Sequence, residues 1–173
     1  MLKVVTYPDP VLSKEAEPVD EVTDEIRDLM DRMLTVMYEA PGVGLAAPQV
    51  DVGKRIIVVD INRDEKERNP IKLVNPEIVK REGEISSEEG CLSLPDFTGE
   101  IKRNKAIAVK GLDENGEEVF FEANGILAVV FQHEIDHLDG ILLIDRVSRL
   151  KRDIYRRKRK KELKESRRES TEE

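Results

Sequence analysis

The residues of this chain best able to do chemistry cluster in one pentad, His133-Glu134-Ile135-Asp136-His137. On a helix, side chains four positions apart stack on one face a turn apart. The two imidazoles can therefore share one metal ion while Glu134 projects beside them as an acid–base group. The flanking residues Ile126, Leu127, Val129, Val130, Phe131 and Ile135 are apolar nearly all round, which predicts a helix over 125–139 buried on most sides. Burying two imidazoles and two carboxylates there without partners would cost on the order of several kcal/mol. A metal supplies the pairing.

The third ligand decides the class of chemistry. The string continues Leu138-Asp139-Gly140, as in H-E-x-x-H-x-x-G-x-x-H, but Leu143 stands where the third His of that pattern belongs. Glu162 lies at a plausible distance downstream, yet it sits among lysines in Lys160-Lys161-Glu162-Leu163-Lys164. Cys91 is left: the single cysteine, unable to close an intramolecular disulfide, whose thiolate suits a borderline-soft divalent ion. Two neutral imidazoles and one thiolate leave such an ion one open position for water, the arrangement of a metallohydrolase. Two other readings stay open on this evidence. One is a zinc endopeptidase with a different third ligand. The other is a binding module with a structural metal, disfavoured because structural sites usually close with four protein ligands.

Three segments together, Gly42-Val43-Gly44-Leu45-Ala46-Ala47-Pro48-Gln49, Glu89-Gly90-Cys91-Leu92-Ser93 and Gln132-His133-Glu134-Ile135-Asp136-His137, resemble the three motifs of the peptide deformylases in order and spacing. The resemblance runs from the N-terminus to about residue 150. It implies that Cys91, His133 and His137 bind the metal, typically iron(II), with zinc, nickel or cobalt as substitutes. It assigns acid–base catalysis to Glu134 and implies that Gln49 binds the reacting carbonyl oxygen. The implied reaction is removal of the formyl group from the N-terminal formyl-methionine of nascent polypeptides, releasing formate. The backbone N–H of Leu92 is expected to help hold the oxyanion. Gly42 and Gly44 are expected to let an extended peptide approach, and Val129 and Val130 are candidates to line a slot for the methionine side chain.

The elements that must position these residues are partly legible. Ile26, Leu29, Met30, Met33, Leu34 and Met37 recur at helical spacing before Pro41-Gly42, predicting an amphipathic helix over Thr23–Ala40. The small residues of 42–49 read as a flexible segment. Strands are expected at Ile56–Val59, Lys72–Val74, Glu77–Lys80 and Ile141–Ile144, with a hairpin of Ala106–Leu112 and Glu117–Ala123 turned by Asn115-Gly116. Gly140 is expected to end the metal helix, and Ser148 to cap a last one. The fold class expected is α+β: antiparallel sheets packed around a buried central helix bearing H-E-x-x-H, with a C-terminal helix.

Charge is divided along the chain. The net charge is −8, yet residues 149–168 hold 12 Lys or Arg against 3 acids, which leaves −17 elsewhere. Residues 1–148 are thus expected to be the catalytic domain and 149–173 a basic helix and tail able to meet a polyanion such as ribosomal RNA. Removal of the arm after Leu150 is expected to spare hydrolysis. No apolar stretch suits a signal peptide or a membrane span, so a cytoplasmic place without membrane contact is expected. Abundant Glu, Lys and Arg with only two Gln and no Trp is a thermophile-like composition.

Overall fold

The computed structural model describes residues 1–172. Helix α1 (Asp24–Glu39) starts where Thr23 accepts the Ile26 N–H, with Asp24 and Glu25 at the positive end of its dipole. Its stripe of Leu29, Met30, Met33, Leu34 and Met37 is buried, so the methionines are core. The chain then enters strands β1 (Gly44–Ala46), β2 (Ile56–Val59) and β3 (Ile71–Glu82), followed by β4 (Ile85–Cys91) and β5 (Leu94–Arg103). Strands β6 (Ala106–Leu112) and β7 (Glu118–Asn124), helix α2 (Gly125–Leu138) and helix α3 (Arg149–Thr171) complete the order.

Five strands form one antiparallel sheet in the order β1-β2-β3-β6-β7, while β4 and β5 pair as a separate antiparallel hairpin. Helix α2 lies on the five-stranded sheet. Its Ala128, Val130, Phe131, Ile135 and Leu138 share one core with Ile57, Val59, Leu73, Ile107 and Val109. Its polar residues His133, Asp136 and His137 face the other way, toward the hairpin. The α+β expectation, with a central buried helix and a C-terminal one, is what the molecule shows.

Several local expectations are corrected. Lys72–Val74 and Glu77–Lys80 are one strand, β3, carried past Pro76 by register shifts. Asn75 takes a left-handed conformation (φ 52°) at that irregularity, and its side-chain amide exchanges two 2.8 Å hydrogen bonds with the Val19 backbone. Ile141–Ile144 is not a strand. Leu143–Asp145 form a 3-10 turn in which the Asp145 carboxylate accepts the Leu142 N–H at 2.9 Å, so the backbone is satisfied without a neighbouring strand. Leu142, Leu143 and Ile144 instead fill a third core with Leu12, Leu94, Phe97 and Tyr155. The segment 42–49 is not a flexible one: Leu45 through Val50 are buried between α1 and α2, and smallness there serves close packing.

The basic arm is not free either. Tyr155 of α3 is buried, stacks edge-on to Phe97 at 5.1 Å and donates its hydroxyl to Pro95 O at 3.0 Å. Arg159 donates to Tyr7 O at 2.9 Å and to Thr6 Oγ1 at 3.0 Å. Cutting after Leu150 therefore removes Tyr155 from the core together with the basic surface.

Candidate metal centre

The sequence of α2 places His133 and His137 one turn apart on the face turned toward the hairpin, their ring centroids 5.1 Å apart. Cys91 ends β4, where a two-residue turn through Leu92 and Ser93 leads directly into β5. That turn carries the sulfur to the helix: Cys91 Sγ lies 3.4 Å from His137 Nε2, and one donor atom from each of the three residues falls within 4.8 Å of the others. Bond lengths of about 2.3 Å to sulfur and about 2.1 Å to nitrogen, at a tetrahedral angle, put two such ligands roughly 3.6 Å apart. The donor set and its spacing fit a divalent ion. Glu162, the other ligand considered, lies on α3 paired with Arg159.

Behind His133 stands a chain of buried charge. Its Nδ1 lies 3.0 Å from Glu89 Oε1, which leaves Nε2 for a metal. Arg103 grips the same carboxylate as a fork, Nε to Oε2 at 3.0 Å and Nη2 to Oε1 at 2.9 Å, and reaches Asp136 Oδ2 with Nη1 at 2.6 Å. Asp136 in turn accepts a second fork from Arg146 at 2.6 and 2.7 Å. Burial alone would push the Glu89 carboxyl up, but the hydrogen bonds from His133 and Arg103 outweigh it and hold the group below the usual carboxylate range. Burial likewise opposes charge on both imidazoles. On His133 the Cys91 sulfur and Glu89 reverse that effect and raise the pKa well above normal. His137, with no carboxylate at its ring, is held well below by burial and by the charge on His133.

Glu134 is buried, with Oε1 3.9 Å from His133 Nε2 and Oε2 without a hydrogen-bond partner. Burial pushes its carboxyl up to about 7, the nearby charges of His133 and Arg103 drawing it back only in part. An unpartnered buried carboxylate is expensive, and one tuned to neutrality beside a ligand cluster is poised to exchange protons. Gly44 makes room for it, since a Cβ there would stand 2.7 Å from Glu134 Oε1. Gln49 is also buried. Its Oε1 accepts the Ala46 N–H at 3.0 Å, which aims Nε2 at Ser93 Oγ (3.2 Å) and Cys91 Sγ (3.5 Å).

Gly44, Gln49, Glu89, Cys91, His133 and Glu134 line a cleft of about 610 Å³, and His137 reaches the Cys91 sulfur from the buried side of α2. One wall is Gly42–Gly44 at the free edge of the five-stranded sheet, the other is β4, and Leu92, Val129 and Val130 also line it. All seven site residues expected from the sequence thus meet in one place. Glu89, Arg103 and Asp136 went unassigned. Glu89 stands two positions before Cys91, and Asp136 lies inside the pentad itself. Arg103 gives no local signal, because only the β4–β5 pairing returns it to the site.

The chain matches the family model described as polypeptide deformylase over residues 1–153. A peptide deformylase of Thermodesulfovibrio yellowstonii is 56% identical over 158 residues, 91% of this chain and 96% of that one. The crystal structure of a peptide deformylase from Legionella pneumophila superposes with a TM-score of 0.89 at 42% identity, covering 97% of this chain and 98% of the other. That of Ehrlichia chaffeensis in complex with actinonin gives 0.88 at 41% identity, covering 94% and 97%.

Proposed function

The chain belongs to the polypeptide deformylase family, and from that premise we propose that Cys91, His133 and His137 hold its metal and that Glu134 moves the proton in the reaction. The reaction itself is the family's: a metal-dependent hydrolysis that removes the formyl group from nascent-chain N-termini. The observation that carries the residue assignment is the meeting of the Cys91 sulfur and two imidazoles within 4.8 Å of one another, beside a cleft lined by a buried carboxylate with one unpartnered oxygen.

An extended peptide fits between the free edge of β1 and β4, with the formyl group at Glu134 and the methionine side chain toward Val129 and Val130. A divalent ion bound by Cys91, His133 and His137 supplies Lewis acidity and makes water ionisable near neutral pH. Glu134 takes one proton from the attacking water and returns it to the leaving nitrogen as the formyl C–N bond breaks, so the products are formate and a free amine. Gln49 Nε2 and the Leu92 backbone N–H donate to the oxygen on which charge develops. A formyl carbon bears hydrogen where other acyl groups bear carbon, so a pocket closed by Gly44, Leu92 and Glu134 rejects larger acyl groups by size. His133, fixed through Glu89 and Arg103, keeps its Nε2 aimed at the ion.

We propose iron(II) as the ion because the family resemblance implies it; the mixed thiolate and imidazole donors accept iron(II) as they accept zinc, nickel or cobalt, so metal analysis decides among them. The thiolate also makes the site oxygen-sensitive. Anaerobic purification, metal analysis and assay of formate release from a formyl-methionyl peptide test this assignment. Glu134→Gln is expected to retain the metal and lose about 10²–10⁴-fold in turnover. Retained turnover, or loss of the metal with it, would remove Glu134 from its role.

We read residues 1–148 as the catalytic domain and 149–173, of which Glu173 lies outside the described residues, as a basic arm that meets ribosomal RNA; a cytoplasmic place is part of the same proposal. No described helix is long and apolar enough to cross a membrane. Arg156, Arg157, Lys160, Lys161 and Lys164 of α3 are exposed, free of the contacts that Tyr155 and Arg159 make with the body. Glutamine at these five positions is expected to weaken ribosome co-sedimentation at low salt and to flatten its salt dependence. Unchanged co-sedimentation would leave the exposed basic face of α3 without a role in ribosome binding.

A further inference from the structure

The cleft that leads to Glu134 carries two charges that deformylation does not use. Arg63 lines it in the loop between β2 and β3, and Glu88 lines it from β4. Both are exposed, and neither enters an ion pair among the described residues, so opposite charges flank the open cleft without closing it.

The loop that presents Arg63 is fastened. Asp60, 3% exposed, accepts the Asn62 N–H at 3.0 Å, the Asn69 N–H at 2.9 Å and the Tyr38 hydroxyl at 2.6 Å, tying both ends of the loop to α1. Arg68 packs over the Tyr38 ring at 4.0 Å, and Asp64 caps the turn within the loop by accepting the Lys66 N–H at 3.0 Å. The Asp60 N–H donates to Val43 O at 2.9 Å, which attaches the loop to the wall along which a peptide must lie. The backbone that presents this guanidinium is held while the guanidinium itself has no ion-pair partner among the described residues, and it stands on a body, residues 1–148, whose 17 Lys or Arg against 31 acids give a net charge of −14.

We propose that Arg63 is a specificity-determining residue that favours substrates with an acidic side chain among the first residues after the formylated methionine. In an extended peptide, successive side chains point to opposite sides, so one of these residues faces the Arg63 rim while its neighbour faces the Glu88 rim. A carboxylate on the Arg63 side receives a charge-assisted pair of hydrogen bonds, whereas a lysine there meets like charge. The effect is that of a solvent-exposed pair, about two- to fivefold in kcat/KM, and it weakens as salt rises. The inference rests on the deformylase reading above.

The test compares formate release from formyl-Met peptides that carry Glu, Gln or Lys at the second or the third position. It uses the parent enzyme and its Arg63→Lys, Arg63→Ala and Arg63→Glu variants, at 50 mM and 500 mM salt. Release from the Gln peptides by the parent tests the deformylase reading on its own. The Glu-to-Lys ratio of kcat/KM tests Arg63. At one of the two positions it is expected to exceed one in the parent and in Arg63→Lys, to approach one in Arg63→Ala and to fall below one in Arg63→Glu, with all departures shrinking at high salt. A ratio that is the same in the parent, Arg63→Ala and Arg63→Glu at both positions would overturn the proposal.

Discussion

Replacing Gly44 by alanine tests whether the Glu134 carboxylate must sit where it does. An ideal Cβ at position 44 falls 2.7 Å from Glu134 Oε1, 2.9 Å from Cγ and 3.0 Å from Cδ, so the whole end of the side chain stands in the way. Ordinary contact begins near 3.4 Å, and the carboxylate must therefore recede by roughly 0.7 Å. Catalytic geometry tolerates only about 0.5 Å, and a displacement near 1 Å costs on the order of 10²-fold. Gly44→Ala is expected to lower kcat by about 10- to 100-fold, equivalent to about 1.4–2.7 kcal/mol of barrier, while metal content stays at the parent level. Gly42→Ala is the matched comparison. Its Cβ meets Leu92 Cδ1 at 3.5 Å and Met37 Cγ at 3.6 Å, ordinary contacts that need no movement, so its kcat should fall by much less. The assay is formate release under saturating formyl-Met peptide, with metal analysis and thermal melting on the same preparations. If Gly44→Ala turns over within twofold of the parent, or if the two glycine variants lose equally, steric placement of Glu134 is not what Gly44 contributes.

Cys91→Ser is expected to lose the metal and the activity together while melting as a folded protein, because a hydroxyl is a poor ligand for a borderline-soft ion; full metal occupancy measured by elemental analysis would exclude Cys91 from the ligand set. Glu89→Gln removes the charge that orients His133 and leaves Arg103 short of a partner; metal affinity, read by chelator competition, is expected to fall about 10–100-fold, and parent-like affinity would show that His133 needs no such support. Truncation after Leu150 deletes Tyr155 from the third core and is expected to cost about 3–5 kcal/mol, lowering Tm by roughly 6–20 °C, whereas truncation after Leu163 should leave the melt near the parent; equal melts for the two would show that α3 contributes no core.

What the sequence made legible follows from periodicity. Helix α1 and the β6–β7 hairpin announce themselves through a 3.6-residue stripe and through Asn115-Gly116, where Gly116 takes φ 76°. The hairpin of β4 and β5 did not announce itself. Residues from Thr98 to Arg103 do alternate in burial, but the inward positions are Gly99, Ile101 and Arg103, only one of them a conventional strand-core residue. Hydrophobic patterning cannot see a strand that turns an arginine inward to meet Glu89 and Asp136. The opposite error occurred at Ile141–Ile144, where an apolar run reads as a strand. Its burial is real, but a side-chain cap from Asp145 satisfies the backbone that a strand would have paired with a neighbour.

The site divides along the same line. Both imidazoles and Glu134 lie within one helical turn, so local spacing carries them. The third ligand lies 42 positions before the first imidazole, and composition pointed to it only because the chain holds a single cysteine. Its placement depends on long-range contacts. Glu89 and Cys91 are on β4 and Arg103 is on β5; the Arg103–Glu89 pair ties the two strands together, while the contacts of Arg103 with Asp136 and of Glu89 with His133 fix the hairpin against α2. A buried network of this kind gives little net stability, because desolvation of each charge offsets most of the attraction. Its contribution is register: a hairpin slipped by one residue along α2 would lose the Arg103–Asp136 pair and the Glu89–His133 contact and carry the sulfur away from His137. The charged residues that escape sequence reading are therefore the ones that make the legible pentad into a three-ligand site.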